Sequence, residues 1–360
     1  MNKTILITGG CGFIGSHVVK HFVGMYPNYT IINFDALTYA GNLENLKGLE
    51  NCSNYVFVKG DIRNFEDIQA VFDKYYIDDV IHLAAESHVD RSMVNPTEFV
   101  ETNVMGTVNL LNAAKEAWSK DLGFHAFLNM ATDEIFGSLD VNDPPFNEHT
   151  PLDPHSPYST SKTAAAMFGK TYYEAYELPV ITLACGNAIG PNQFPEKLVP
   201  LVIDRVLNGG EIPVYGEGKQ MRDWTNVNDI AEAIDLLVHK GYPGELYCIG
   251  GDACKRNIDI IHEIIRTIAG LKYGVGNNRY HDAVNEYCSQ IKFIKDPRGK
   301  SHDFRYDINH DKITQELGWE PEHTFEDSVY DTCVWYMHNQ DWVKNVKNGD
   351  YKKWIEEYYK

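Results

Sequence analysis

Short apolar runs separated by amphipathic stretches dominate the first half of the chain. Thr4–Thr8 is one such run, with glycines directly behind it, and Ile14–Val23 then changes to helical spacing. Further strand-like runs follow at Thr30–Phe34, Tyr55–Val58, Val80–Leu83, Phe127–Ala131 and Val180–Ala184. Helical periodicity fills Phe65–Tyr75 and Pro96–Trp118. Continuous apolar strands alternating with helices predict parallel β-α-β units, because a strand covered on both faces has no polar side. Right-handed crossovers then give an α/β fold built on a doubly wound parallel sheet.

After about residue 190 the pattern loosens into shorter elements with more turns. Asn226–Leu237 and Glu245–Ile249 read as a helix and a strand that return to the main sheet. The expected division is therefore interleaved: residues 1–187 plus 222–250 form the sheet domain, and 188–221 plus 251–360 form a smaller α/β capping domain. Trp335, Tyr336, Trp342, Tyr351, Trp354, Tyr358 and Tyr359 make the tail aromatic, as expected of a packed C-terminal arm.

Composition narrows the function. The 360 residues are 43% hydrophobic with a net charge of −19, a field that repels a nucleic-acid backbone, and no basic cluster interrupts it. An anionic small molecule therefore needs locally gathered Lys, Arg and helix N-termini. No apolar run approaches membrane-spanning length, and Met1-Asn2-Lys3-Thr4 leads straight into Ile5-Leu6-Ile7 without a signal-like stretch. A cytoplasmic protein is expected. The seven cysteines (Cys11, Cys52, Cys185, Cys248, Cys254, Cys288, Cys333) show no C-x-x-C spacing, and the fourteen histidines show no H-E-x-x-H. Reduced structural thiols and no metal site are the expectation.

The segment Thr8-Gly9-Gly10-Cys11-Gly12-Phe13-Ile14-Gly15 puts glycines on a strand-to-helix turn. It fits both Gly10-x-Gly12-x-x-Gly15 and Gly9-x-x-Gly12-x-x-Gly15. Such a turn needs positive φ and lets backbone approach a pyrophosphate, whose charge the helix N-terminus stabilises. A glycine turn alone is weak evidence, since tight turns have structural uses. Here Asp35 follows at the end of the second strand, placed to accept from an adenosine ribose 2′-OH and to repel a 2′-phosphate, with no arginine adjoining it in sequence. NAD, rather than NADP, is the expected cofactor. Asp61-Ile62 after the third strand is either at the adenine edge or an exposed loop.

Ser156-Pro157-Tyr158-Ser159-Thr160-Ser161-Lys162 opens another helix, with Ser156 as N-cap and Pro157 as first helical residue. Tyr158 and Lys162 are four apart and share a face. A free phenol, with a pKa of about 10, is too weak a base near neutrality, and a neighbouring ammonium together with the positive nicotinamide favours the phenolate. Y-x-x-x-K is common by chance and gains weight only beside a dinucleotide fold. Thr132-Asp133-Glu134 ends the strand before it, at the sheet edge where ligands sit in doubly wound folds. Two adjacent carboxylates there are costly to a merely structural loop.

Together Gly9-Gly10-Cys11-Gly12-Phe13-Ile14-Gly15, Thr132, Tyr158 and Lys162 resemble the extended short-chain dehydrogenases that act on nucleotide sugars. The resemblance sharpens toward the dTDP-glucose 4,6-dehydratases. Asp35-Ala36-Leu37-Thr38-Tyr39-Ala40-Gly41-Asn42-Leu43, Ala84-Ala85-Glu86-Ser87-His88-Val89-Asp90-Arg91-Ser92 and Thr132-Asp133-Glu134 are similar to segments of that family. So are Phe194-Pro195-Glu196-Lys197-Leu198, Arg222-Asp223-Trp224 and the tail through Gly349-Asp350-Tyr351 and Trp354-Ile355-Glu356. The resemblance implies a Rossmann-type NAD domain, a nucleotide-sugar-binding domain and a homodimer paired through Pro96–Trp118 and Tyr158–Glu177. It implies that Tyr158 takes the sugar 4-OH proton, Lys162 lowers the phenol's pKa, Thr132 holds the hydroxyl, Glu134 removes the C5 proton and Asp133 protonates the departing C6 hydroxyl. Gly9, Gly12, Phe13, Ile14, Gly15, Asp35, Leu37, Thr38, Asp61, Ile62, Ala84 and Ala85, with Tyr158 and Lys162, would hold NAD.

For the substrate, the resemblance implies Ser87 and Thr132 at the sugar. Asn187, Lys197, Arg222 and Arg298 would meet the diphosphate, and Glu196 and Leu198 would line the same end. Val214 and Tyr215 would flank the base, with Asn257 and His302 also in the nucleotide pocket. Three segments depart from the family pattern. Gly186-Asn187-Ala188-Ile189-Gly190 replaces Ser-Asn-Asn-Tyr-Gly, Asp296-Pro297-Arg298-Gly299-Lys300-Ser301-His302-Asp303 is lengthened, and Pro191-Asn192-Gln193-Phe194 is as similar to the UDP-glucose branch. UDP-glucose or another nucleotide hexose thus stays open as the substrate. A C4-epimerase, which has no use for the carboxylate pair, and a non-catalytic NAD-binding protein are the rival functions.

Overall fold

The computed structural model describes residues 2–347. Its strands are β1 (Thr4–Thr8), β2 (Thr30–Asp35), β3 (Tyr55–Lys59), β4 (Asp79–His82), β5 (Ala126–Met130), β6 (Val180–Cys185), β7 (Asn187–Ile189), β8 (Ile212–Tyr215), β9 (Met221–Asn226), β10 (Leu246–Ile249), β11 (Cys254–Arg256) and β12 (Ile291–Ile294). Seven of them form one sheet in the order β10-β6-β5-β4-β1-β2-β3. Every pairing within it is parallel. Strand order reverses between β1 and β4, and this switch point opens the crevice in which ligands of such sheets bind.

The inner strands are apolar on both faces because helices cover both. Ile5, Ile7, Ile31, Ile81 and Leu128 pack against Val18, Val19 and Phe22 of the helix Phe13–Met25 and Ile230, Ile234 and Leu237 of Val227–Lys240. On the opposite face Leu6, Ile32, Val80 and Phe127 meet Leu110, Leu111 and Ala114. The expected return of the chain after residue 220 is thus real: Val227–Lys240 covers the sheet and β10 forms its edge.

A separate core gathers Val199, Val202 and Val206, Ile260, Ile261, Ile264, Ile265 and Ile268 of Asn257–Tyr273, and Phe325, Val329, Cys333, Tyr336 and Trp342. Two small sheets, β11-β9-β7 and β12-β8, border it. Trp335, Tyr336 and Trp342 pack edge-on against one another, while the tail aromatics from Tyr351 onward lie outside the described residues.

One expected helix differs. Pro96–Trp118 is not continuous: a short helix Pro96–Phe99 runs into a π turn at Val100–Met105 before Gly106–Ala117. The wider turn accompanies a buried polar clasp. Asn103 exchanges two hydrogen bonds of 2.9 Å with the backbone of Glu86 and donates a third, also 2.9 Å, to Ser161 Oγ. Apolar periodicity continues through such a bulge, so the pattern alone reads as one helix.

Candidate active site

The glycine turn after β1 is shaped by close approach. Gly9 has φ +73°, and a Cβ there would stand 2.7 Å from the Ala84 backbone. A Cβ on Gly15 would stand 2.1 Å from the Gly9 carbonyl. The helix Phe13–Met25 begins at Gly12 with no side-chain cap, so its first N–H groups are available to an anion. Asp35 accepts from the N–H of Cys11 at 2.9 Å and of Leu37 at 2.8 Å, which fixes the carboxylate at the end of β2. Burial raises its pKa, and the two backbone donors oppose that shift.

A cleft of about 230 Å³ lies over this turn, lined by Gly9, Gly12, Phe13, Ile14, Gly15, Asp35, Thr38, Asp61, Ile62, Ala84 and Ala85. Leu37 does not line it; at φ +56° its side chain packs on the core, and only its N–H serves Asp35. Arg63, unmarked by any sequence pattern, does line the cleft, but Asp61 holds it in a two-pronged ion pair of 2.6 and 2.9 Å.

A second cleft of about 310 Å³ adjoins the first, and Phe13, Ile14, Ser87, Gln193, Glu196 and Lys197 line both. Thr132, Asp133, Glu134 and Tyr158 lie on its walls. The capping box of Ser156 and Ser159 fixes the start of the helix Pro157–Tyr176, so Tyr158 sits in its first turn. Phe99 packs edge-on against the phenol ring at 6.3 Å. Lys162, one turn on, is 5% exposed and lines neither cleft.

Electrostatics separates the two carboxyls. Burial, reinforced by Glu134, pushes Asp133 up to about 8, and its Oδ2 is buried without a hydrogen-bond partner. Such an oxygen is that of a neutral acid. Glu134 is also raised by burial, but Arg298, Arg222 and Lys197 pull it back. Thr132 Oγ1 donates to Asp133 Oδ1 at 3.1 Å and accepts the Glu134 N–H at 3.3 Å, holding the triplet in one short turn. Burial brings Lys162 down to about 8. Tyr158 departs from the expected direction. Within the protein alone, burial and the charges of Glu134 and Asp133 raise it well above the ordinary phenol value, and the hydrogen bond with Thr132 only partly opposes them.

Asn187, Leu198, Val214, Tyr215, Arg222, Asn257, Arg298 and His302 also line the second cleft. Lys197 donates to the Ser87 carbonyl at 2.9 Å. Arg222 lies over the Tyr306 ring at 4.1 Å and donates to backbone carbonyls of Met221 and Asp303. Arg298 pairs with Asp90, which also accepts from Tyr215 at 3.2 Å. Tyr39 donates to Glu196 at 3.0 Å. Three positive side chains thus gather on one wall of a protein whose net charge is −19. Among the described residues no cluster of His, Cys, Asp or Glu has the arrangement of a metal site, and no helix is long and apolar enough to cross a membrane.

The family model for GDP-mannose 4,6 dehydratase matches residues 6–332. The dTDP-glucose 4,6-dehydratase of Salmonella typhimurium is 42% identical across 99% of this chain and 98% of its own length. The chain belongs to this dehydratase family. The crystal structure of the Bacillus anthracis dTDP-glucose 4,6-dehydratase in complex with NAD superposes with a TM-score of 0.83 at 40% identity, covering 96% of this chain and 100% of that one. The Streptomyces venezuelae dTDP-glucose 4,6-dehydratase, with NAD bound, gives 0.85 at 36% identity over the same shares.

Against this dehydratase framework, sequence reasoning passed over Asn103 and Tyr306, and it named Trp224 only as part of a family-like segment, without a place in the site. Asn103 ties the Glu86 loop beside the first cleft to the helix carrying Tyr158, and only the π turn reveals it. Trp224 lines the second cleft with an indole N–H that is buried and has no hydrogen-bond partner. Tyr306, which stacks with Arg222, lies in a late segment without regular structure and shows no periodic signal.

Proposed function

We propose that this chain catalyses the NAD-dependent dehydration of dTDP-glucose to dTDP-4-keto-6-deoxyglucose. The observation that carries the reading is the triplet of buried Thr132 and Asp133 with half-buried Glu134, in one cleft with Tyr158 and with one carboxyl held neutral by its surroundings. An epimerase needs the tyrosine but not the acid pair. Gly9, Gly15 and Asp35 fit a dinucleotide, since a Cβ would fill the space where a pyrophosphate approaches backbone and the acid stands at the end of β2.

Bound NAD supplies the hydride acceptor for C4 and the donor for C6, and a positive ring that favours the phenolate. The protein's groups move the protons. Tyr158 takes the 4-OH proton, with Thr132 on the same hydroxyl and the Lys162 ammonium one helical turn away. Glu134, the more readily ionised carboxyl, removes the C5 proton once the 4-ketone has acidified it. Asp133 donates its proton to the C6 hydroxyl as water leaves. Lys197, Arg222 and Arg298 bind the diphosphate, while Val214, Tyr215 and Asn257 meet the nucleoside.

The interleaved division at residues 1–187 plus 222–250 and 188–221 plus 251–360 belongs to this reading, as does a homodimer in the cytoplasm. Exposed Met167 and Phe168 on the helix that carries Tyr158, with Met93, Val100 and Met105 on Val89–Val94 and Val100–Met105, support the dimer.

The test is incubation with dTDP-glucose and UDP-glucose in parallel, following the alkali-absorbing 4-keto-6-deoxy product. Faster turnover of dTDP-glucose, with deuterium moving from C4 to C6, is expected. An epimerised sugar, or a label that never reaches C6, overturns the reading.

A further inference from the structure

We propose that Asn45 is a positioning residue that couples the NAD-binding turn to the loop over both clefts and to the C-terminal helix. The inference rests on the NAD reading above. Asn45 is 2% exposed and lines neither ligand cleft. Its Nδ2 donates to the Cys11 carbonyl at 2.8 Å. Its Oδ1 accepts from the indole N–H of Trp342 at 2.8 Å and from Asn192 Nδ2 at 3.3 Å. One amide therefore joins three chain segments that are distant in sequence.

Each connection reaches a ligand-facing group in one step. The Cys11 N–H donates to Asp35, the acid at the ribose end, so Cys11 is held at its nitrogen by that acid and at its carbonyl by Asn45. That carbonyl belongs to the peptide leading into Gly12, where the helix begins, so its orientation sets that of the Gly12 N–H, which closes the glycine turn by donating to the Gly9 carbonyl at 3.1 Å. Asn192, in the left-handed region at φ +68°, precedes Gln193, Glu196 and Lys197, which line both clefts. The C-terminal segment reinforces the same loop, because Tyr336 donates to the Gln193 carbonyl. Asn345 also donates to Glu44 at 2.9 Å, holding Gln340–Val346 against the turn that carries Asn45.

The chemistry requires an amide. Aspartate at this position keeps the acceptor for Trp342 and loses the donor to Cys11, leaving that carbonyl held only by the Asn42 N–H at 3.0 Å and adding a buried charge beside it. A purely structural junction lowers stability without a particular effect on NAD, whereas a positioning junction moves NAD affinity first.

The test compares native protein, Asn45→Asp and Trp342→Phe. The readouts are NAD released on denaturing the purified protein, NAD affinity after stripping, and melting temperature without NAD. The expected result is NAD affinity about tenfold weaker in Asn45→Asp and about threefold weaker in Trp342→Phe, roughly 1.4 and 0.7 kcal/mol. Trp342→Phe keeps one aromatic ring but removes the indole's second ring from a buried site, so its melting temperature should fall by several degrees, and NAD affinity is the deciding readout. NAD affinity within about twofold of native in both variants overturns the proposal, whatever happens to the melting temperature. If Asn45→Asp does not fold, Trp342→Phe decides alone. A native protein that binds no NAD refutes the cofactor reading itself, a distinct failure visible in the first measurement.

Discussion

The two clefts share a wall but are made differently. The dinucleotide cleft is built largely of backbone: a turn in which Gly9 and Gly15 admit no Cβ, an uncapped helix start, and Asp35 oriented by two N–H groups that leave each oxygen a free lone pair. Apart from the open N–H groups of that helix start, its acid is held in place by backbone before any ligand arrives. The sugar cleft is built of side chains drawn from much of the chain, and several of its buried polar atoms lack a hydrogen-bond partner, among them Asp133 Oδ2, Trp224 Nε1 and Asn257 Oδ1. Buried polar atoms without partners are costly to the fold. A cleft that retains them is shaped for a polar substrate at the expense of stability, while the dinucleotide cleft is part of the fold itself. Substitutions should separate the two accordingly.

The largest separation is expected between Tyr158→Phe and Gly15→Ala. Removing the phenol hydroxyl deletes a proton-transfer group and should cut turnover by about 10³-fold while NAD stays bound. In Gly15→Ala the new Cβ meets the Gly9 carbonyl at 2.1 Å, so the turn itself must move. There NAD content should be lost and the melting temperature should fall along with activity. Measuring NAD content, melting temperature and turnover on both variants breaks the comparison if Tyr158→Phe loses its NAD or Gly15→Ala keeps it.

Asp133→Asn probes the cost carried by the sugar cleft. A carboxyl in the unfolded chain titrates near about 3.9, whereas burial and Glu134 hold Asp133 at about 8. Between those values the folded state keeps a proton that the unfolded state has released. Stability from this group is therefore complete below about pH 4 and is lost as pH rises toward 8. Asparagine cannot ionise and keeps the carbonyl that accepts from Thr132. The variant should gain several degrees on the native protein between pH 5 and pH 8.5 in melting experiments, while turnover falls about 10²-fold for want of the acid. Parallel melting curves of the two proteins across that range would remove the acid role of Asp133.

This contrast also explains what the sequence made legible. The strands, the glycine turn and Asp35 are local patterns with a fixed period or spacing, and all stand where the periodicity put them. Tyr158 and Lys162 needed only a helix and its cap. Beyond Tyr158 and Thr132-Asp133-Glu134, the sugar cleft was legible only through family resemblance, because residues as far apart as Ser87 and His302 meet through tertiary packing that no spacing encodes. The partners of those side chains were not legible either. Nothing in the sequence says that Arg298 pairs with Asp90, or that burial, aided by two carboxylates, makes the free protein a poor setting for a phenolate. The π turn at Val100–Met105 was hidden for the opposite reason, since its apolar residues keep helical spacing across the bulge.

The smallest effect is expected at the solvent rim of the dinucleotide cleft. Arg63 lines that cleft, and a free arginine beside the ribose would favour a 2′-phosphate and so NADP. Its charge is committed to Asp61, however, through a pair whose side chains are 40% and 28% exposed. Pairs so exposed contribute only about 0–1 kcal/mol, since water screens the attraction and ordering two side chains opposes it. Arg63→Gln should therefore leave the melting temperature within about 2 °C and NAD affinity within about threefold of native, with preference for NAD over NADP unchanged. Titrating both dinucleotides against both proteins checks this. A large loss of NAD affinity would mean that a surface side chain, and not only backbone, builds this cleft, and the distinction between the two halves of the site would weaken.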